Sequence, residues 1–388
     1  MASRILFCRL LRGFIARRVI WIFLLTLLST GLPLIFLTTA PEVLVEESNE
    51  VLVRIHANRF RPTLLMWTSV WRKTLAQSDL IKIDCFGSKI ACDVSSDRRI
   101  VHEAAALIFH GRDVSFWDMP KRKYVGQPWV LWNQEPPSQS PIQVYKQGSN
   151  LFDLELGYRQ TADIFAPYGF FSQKRAEASD ENREKLEKRF IKQNGAVWLV
   201  SDCWTESRRE NYVQELQRYF PVDVYGACGN RICPMSASDS CMNTLSQKYM
   251  FYLAFENSIC PDYVTEKLYR TLQYPIIPVT MTGSRGQFLD SLHAFVDASN
   301  LDPLSLALKL KKISQNITQY ATYFVWKKKY TAHNQVNPLC HICDKFRKQL
   351  NGAMNYKARN RTYLTDRMNH RACKTWNSNT QKFESIGL

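Results

Sequence analysis

Tyr263, Glu266 and Lys267 stand at i, i+3 and i+4, with Asn257 a little upstream. If the segment is helical, that spacing puts the first three on one face. A lysine ammonium beside backbone N–H groups at a helix start suits a pyrophosphate, and a carboxylate with an amide can hold sugar or ribose hydroxyls. The same pattern also reads as a solvated helix face. A second polar cluster, 133–138, carries Glu135, and a third, 110–113, carries His110 and Arg112; each follows an apolar run.

The elements that must position these residues follow from hydrophobic runs and breakers. Residues 251–255 read as a buried strand, with a break over 258–261. Asp262 is expected to cap a helix running to about Tyr274, stopped by Pro275 and followed by a strand over 276–279. That is a βαβ unit, and open α/β sheets bind ligands outside the C-terminal ends of their strands. Further strands are expected at 64–67, 81–86, 104–109 and 128–132, the last two ending at His110 and just before Glu135. In the second half strands are expected at 197–201, 222–226 and 294–298, and helices at 206–220, 303–319 and 320–329. Strands alternating with helical segments indicate Rossmann-like halves.

The N-terminus carries Arg4, Arg9, Arg12, Arg17 and Arg18 and no acid, and residues 19–39 then carry no charge. That is about the 20 residues a bilayer requires, and arginines before the span place the N-terminus in the cytosol. The reading is a cytosolic tail (1–18), an uncleaved type II signal anchor (19–39) and a stem (40–61), with the rest in the lumen. Of 11 cysteines, all but Cys8 are then luminal and free to form disulfides. Cys85 and Cys92 are near enough in sequence to pair with each other, and Cys340 and Cys343 form a CxxC that reads as disulfide-forming rather than zinc-binding. Asn316 and Asn360 begin N-glycosylation sequons. A formal charge of +16 suits anionic nucleotide sugars and acidic membrane surfaces; luminal placement excludes nucleic acid as the partner. The remainder divides into an N-terminal domain (62–175), a charged connector (176–194), a second domain (195–330) and a basic, cysteine-containing C-terminal extension (331–388) to which the sequence assigns no function.

Ala254-Phe255-Glu256-Asn257-Ser258, followed by Asp262-Tyr263-Val264-Thr265-Glu266-Lys267, resembles the donor-binding motif of the α1,3-fucosyltransferases. Other segments resemble the same family in the same order. Trp132-Asn133-Gln134-Glu135-Pro136-Pro137-Ser138 is similar to its W-x-x-E-S-P-S run, with Pro136 in place of serine. His110-Gly111-Arg112-Asp113 resembles its H-H-R-E/D element, with Gly111 in place of the second histidine. Residues 152–159 and 162–169 resemble its F-N-L-T-M-S-Y-R and D-I-F-x-P-Y-G block, and 200–209 its V-S-N…S-x-R element. The resemblance covers roughly 104–345.

The resemblance implies a fold of two facing Rossmann-like domains (GT-B type), donor bound in the second and acceptor in the first. It implies an inverting transfer of L-fucose from GDP-fucose, in α1,3 linkage, to GlcNAc of a glycoprotein or glycolipid glycan in the Golgi. Glu135 is the implied general base. Arg209, Asn257, Tyr263, Glu266, Lys267, Arg159 and Tyr168 are the implied donor residues, and His110 and Arg112 lie on the acceptor side. No D-x-D motif is present, so no metal cofactor is expected; stimulation by Mn2+ or Mg2+ and a homodimer stay open. A Golgi glycan-binding or scaffold protein on the same fold, or a transferase using another GDP-sugar, is the competing reading.

Overall fold

The computed structural model describes residues 44–45, 62–74, 81–85, 88–124, 126–140, 151–174, 193–233, 238–334, 337–350 and 373–386, all within one compact unit, Val43–Leu388. The expected anchor (19–39), nearly all of the stem, most of the connector and Asn360 lie outside the described residues. Among the described residues no helix is long and apolar enough to cross a membrane.

The first half builds a seven-stranded sheet from β1 (Thr63–Met66), β2 (Ile81–Cys85), β3 (Ser88–Ser95), β4 (Ala106–His110), β5 (Trp129–Asn133), β6 (Leu154–Gly157) and β7 (Ile164–Phe165). Their spatial order is β2-β3-β1-β4-β5-β6-β7. Every neighbouring pair is parallel except β2 with β3. A parallel sheet is covered on both faces, so its strands are apolar throughout. The two-residue period sends Leu64, Met66, Ile108 and Val130 to one face and Leu65, Leu107, Phe109 and Leu131 to the other.

After β8 (Phe170–Gln173), the chain forms a five-stranded, wholly parallel sheet. Its strands are β9 (Gln193–Leu199), β10 (Val222–Tyr225), β11 (Tyr249–Phe255), β12 (Ile277–Met281) and β13 (Val296–Asp297), in the order β10-β9-β11-β12-β13. The order reverses between β9 and β11, and their C-terminal loops flank that switch point. Helices α1 (Arg209–Leu216), α2 (Ser238–Lys248), α3 (Glu266–Thr271), α4 (Gln287–Ser291), α5 (Pro303–Ser314) and α6 (Ile317–Thr322) belong to this half. Strand β14 (Tyr330–His333) returns antiparallel to β8.

Several elements differ from expectation for local reasons. Asp262 does not cap a helix: it sits at φ +61°, and α3 starts at Glu266 behind Thr265, whose hydroxyl accepts from the Lys267 amide. Tyr263 therefore stands in the turn before the helix rather than on its face. Helix α1 starts at Arg209, not Glu206, because Arg208 is left-handed at φ 51°. The expected helix over 303–319 breaks at Asn316, whose side chain accepts from the Gln319 amide and caps a new helix. The stretch 325–328 is a 3-10 turn.

The segment after 331 is divided between the two sheets. Helix α7 (Pro338–Leu350) returns to the first sheet, where Ile342, Cys343 and Phe346 join the core of Leu64 and Val130. Cys85 and Cys92 do not pair with each other: Cys85 bonds Cys340 and Cys92 bonds Cys343. The two lie on paired strands, and the three-residue spacing of Cys340 and Cys343 puts both on one helix face, so the bonds run side by side. The last described elements, β15 (Lys374–Asn377) and β16 (Lys382–Ser385), form an antiparallel hairpin whose Trp376 enters the core of the second sheet.

Candidate active site at the switch point of the second sheet

A cavity of about 300 Å³ lies between loops of the two sheets, lined by Trp71, His110, Gln134, Glu135, Tyr168, Asn257, Tyr263, Glu266 and Lys267. Seven of these were expected from the sequence, and they come from five separate segments.

The second-sheet wall is a charge network. Strand β11 is followed directly by Glu256, which is 0% exposed. A bare buried carboxylate is costly, and the start of α3 compensates it. Glu256 accepts from the Thr265 amide at 2.8 Å and from its hydroxyl at 2.9 Å, and the Lys267 ammonium stands 3.0 Å away. The same ammonium donates to the Thr265 hydroxyl at 2.8 Å and reaches Glu266 at 3.3 Å. Burial opposes charge on Lys267, but Glu256 and Glu266 overcome it and its pKa is raised, so it stays an ammonium. Burial pushes Glu256 up against the pull of Lys267. Burial pushes Glu266 the same way, but Lys267 and local hydrogen bonds reverse it, and Glu266 is held below the ordinary glutamate range.

The first-sheet wall is built from hydrogen bonds and aromatic rings. Strand β5 ends at Asn133, whose side chain folds the next loop back: Oδ1 accepts from the Glu135 amide at 3.1 Å and Nδ2 donates to Ser140 at 2.9 Å. Pro136 fits this loop in extended backbone ahead of a short 3-10 turn, Pro137–Gln139. Tyr168 donates to the Gln134 carbonyl at 2.5 Å. Ser138 meets Ser258 at 2.9 Å, tying the Glu135 loop to the loop after β11. Glu135 has its pKa raised by burial and by Glu266, with Arg112 and Lys267 pulling the other way.

His110 lies within 2.6 Å of Asp113 through Nδ1, between the rings of Trp71 and Trp132. Burial lowers its pKa against the pull of Asp113, which favours the neutral ring. The Asp113 carboxylate also accepts from the amides of Trp71 and Arg72, at 2.7 and 3.1 Å. Both of those residues have positive φ, 54° and 61°, so Asp113 holds a turn that non-glycine residues adopt only under strain. The turn presents Trp71, 52% exposed, to the cavity.

Three expected residues do not line the cavity. Arg209 is 4% exposed and donates to the carbonyls of Phe255 at 2.6 Å and Asp202 at 3.3 Å. Its guanidinium sits at the end of β11, where burial lowers its pKa against the pull of Glu256. Arg159 is half-buried beside Tyr158. Arg112 is exposed and lies over the Trp71 ring, 4.9 Å from its centroid. Asn316 is exposed at the start of α6. Sequence reasoning missed Trp71 and Gln134 as lining residues and Glu256, Thr265 and Asp113 as their supports. Glu256 and Asp113 stand inside the quoted motifs; Trp71 has no local signal beyond an aromatic in a loop.

A doubly wound sheet with an ammonium at its switch point, facing a carboxylate of raised pKa from the mixed first sheet, suits group transfer. Sequence comparison gives the family. Residues 59–169 match the profile described as "Fucosyltransferase, N-terminal" and residues 190–361 that of "Glycosyltransferase family 10 (fucosyltransferase) C-term". The human 4-galactosyl-N-acetylglucosaminide 3-alpha-L-fucosyltransferase FUT6 is 32% identical over 279 residues, 69% of this chain and 73% of that one. Alpha-(1,3)-fucosyltransferase C of Drosophila melanogaster is 29% identical over 310 residues, 72% of each chain. The chain belongs to the α1,3-fucosyltransferase family, and is an enzyme of that class. A crystal structure of an α1,3-fucosyltransferase with GDP-fucose superposes with a TM-score of 0.40 at 16% identity, over 66% of this chain and 80% of that one, a likeness too weak to build on.

Proposed function

We propose that this protein moves L-fucose from GDP-fucose, with inversion, in α1,3 linkage to a GlcNAc of a glycoprotein or glycolipid glycan, on a GT-B architecture. The observation that carries the reading is one cavity holding a raised carboxylate, Glu135, from the first sheet and a fixed ammonium, Lys267, from the second. Glu135 takes the proton of the acceptor hydroxyl as its oxygen attacks the anomeric carbon. The bond to the diphosphate breaks, and its electron pair leaves with GDP. Lys267 meets the charge that grows there. Glu266, held ionised, and Asn257, whose buried Oδ1 has no hydrogen-bond partner among the described residues, accept from donor hydroxyls. Tyr168 and Tyr263 wall the donor, while His110, Arg112 and Trp71 face the acceptor.

Arg209 supports the donor loop from below in this reading, since its Nη atoms are taken by carbonyls. The diphosphate is met by Lys267 without a required divalent ion, so EDTA should leave the rate within about twofold, where loss of an essential metal would cost several kcal/mol. Five disulfides among the described residues accord with an oxidising lumen, and we place the chain in the Golgi membrane as a type II protein.

The test offers labelled GDP-fucose and, side by side, antennal and core N-glycan acceptors to a secreted form of residues 42–388, with the products sequenced. Transfer in α1,3 linkage to one class establishes both reaction and acceptor. Saturable GDP binding without transfer would point to a glycan-binding protein, and preference for another GDP-sugar would reassign the donor.

A further inference from the structure

The C-terminal hairpin lies far in sequence from every residue of the cavity, yet it is fastened to the loop that supplies two of them. That loop, 256–265, joins β11 to α3 and carries Asn257 and Tyr263. Between these two, Cys260 is bonded to Cys373, the residue before β15. One residue on, the Lys374 amide donates to the Ile259 carbonyl at 2.8 Å, an isolated antiparallel bridge. The hairpin is anchored in turn. The Trp376 amide donates to the Ser207 carbonyl at 3.0 Å, and its ring, 1% exposed, packs edge-on against Tyr212. Ser207 is itself tied to the donor loop: its amide donates to the Asn257 carbonyl at 3.0 Å and its hydroxyl to that of Glu256 at 2.8 Å.

The opposite side of the loop rests on 282–284. The Asp262 amide donates to the Ser284 carbonyl at 2.7 Å. A Cβ on Gly283 would stand 2.4 Å from the Cys260 carbonyl oxygen, so only glycine permits this approach. The loop is thus clamped between a glycine shelf and the hairpin. Tyr263 packs in one small cluster with Tyr158, Cys260 and Cys373.

We infer that the hairpin 373–386 is a positioning brace for the donor loop, with Cys373 and the Lys374 amide holding Asn257 and Tyr263 in the geometry that receives the nucleotide sugar. The inference rests on the donor reading above. A side chain held through several supports loses little enthalpy when one is cut, but its ligand must then order it on binding. The loss therefore appears in donor affinity rather than in acceptor affinity.

Lys374 offers a clean test because its side chain is exposed and only its amide meets the loop. In the full chain in detergent, Lys374→Pro removes that donor and Lys374→Ala keeps it. Lys374→Pro should weaken GDP binding about fivefold relative to Lys374→Ala, in the range of one lost hydrogen bond. Paired Cys260→Ala/Cys373→Ala should weaken it about tenfold, with the acceptor KM unchanged. Paired Cys85→Ala/Cys340→Ala is the control: it lowers the melting temperature without moving GDP affinity. Amide exchange over 256–267 reads the brace with no ligand present and should be faster in Lys374→Pro than in Lys374→Ala. Equal exchange and equal GDP affinity in those two variants would overturn the inference. Faster exchange in a protein whose wild type does not bind GDP would support the brace and sink the donor reading instead.

Discussion

The two walls of the cavity solve the burial of carboxylates in opposite ways. On the second-sheet side Glu256 and Glu266 share one ammonium and the hydrogen bonds of Thr265, so that Glu266 stays ionised below its ordinary range. On the first-sheet side Glu135 has neighbouring cations but no ion pair among the described residues, and its proton affinity rises. In the proposed reaction, two carboxylates facing one space with proton affinities driven apart divide the labour: one holds, the other takes a proton. Ion pairing with local hydrogen bonds prevails at the more exposed Glu266, whereas Glu256, fully buried against the same ammonium, is still pushed upward.

The sharpest way to break this comparison is to remove the unpaired carboxylate. Glu135→Gln keeps the shape and loses the base; kcat should fall by about 10³-fold, with GDP affinity unchanged by titration calorimetry. A fall in GDP affinity of the same size would mean that Glu135 is a donor ligand. Stability gives the same comparison a sign. A carboxylate whose folded pKa is raised costs stability when ionised, above its unfolded value near 4.5. Glu135→Gln should therefore be more stable than wild type at pH 7, with the gap closing as the pH falls from the raised folded value to 4.5. Glu266→Gln should show the opposite sign.

The paired wall yields the next largest effect. Lys267→Ala strands Glu256 as a buried charge without its cation, a change that costs about 3–5 kcal/mol of stability, and it removes the ammonium proposed to meet the donor. Paired Glu256→Gln/Lys267→Met removes both charges and should recover most of the melting temperature but none of the GDP affinity. If the pair recovers both, Lys267 is a structural partner of Glu256 and nothing more.

How much of this was legible follows the range of the interactions. Glu135 and Lys267 stand in words local enough to read, and the strands that carry them are apolar runs with breakers at their ends. The helix start was misplaced by a few residues because Asp262 and Thr265 are both able to cap. What decides between them is Glu256, which recruits Thr265 through contacts no pattern records. The crosswise pairing of Cys85 and Cys92 with Cys340 and Cys343 depends on α7 returning across some 250 residues to the first sheet. The C-terminal hairpin reads as basic and polar in one dimension, and only the burial of Trp376 and Cys373 reveals it as part of the second half. The motif locates Arg209, while the direction of its guanidinium, toward the carbonyls of Phe255 and Asp202, depends on packing no motif records.

The smallest effects concern the acid limb of the rate profile and the acceptor side. With Glu135 as the base, kcat/KM should fall on the acid side at a pH above 4.5, the ordinary glutamate value, because the base must be ionised to act. Arg112 is the cation that most strongly holds that proton affinity down, and it is exposed above Trp71. Arg112→Ala should move the acid limb to higher pH and leave GDP affinity untouched. Asp113→Asn weakens the support of the Trp71 turn and the orientation of His110, at about 1–3 kcal/mol for hydrogen bonds left poorly met. It should raise the acceptor KM while the acid limb stays where it is. The two variants touch adjacent side chains of one loop, so the comparison is internal. A limb that moves in both, or in neither, would mean that Glu135 is not the group being titrated, and the contrast between the two walls would lose its chemical meaning.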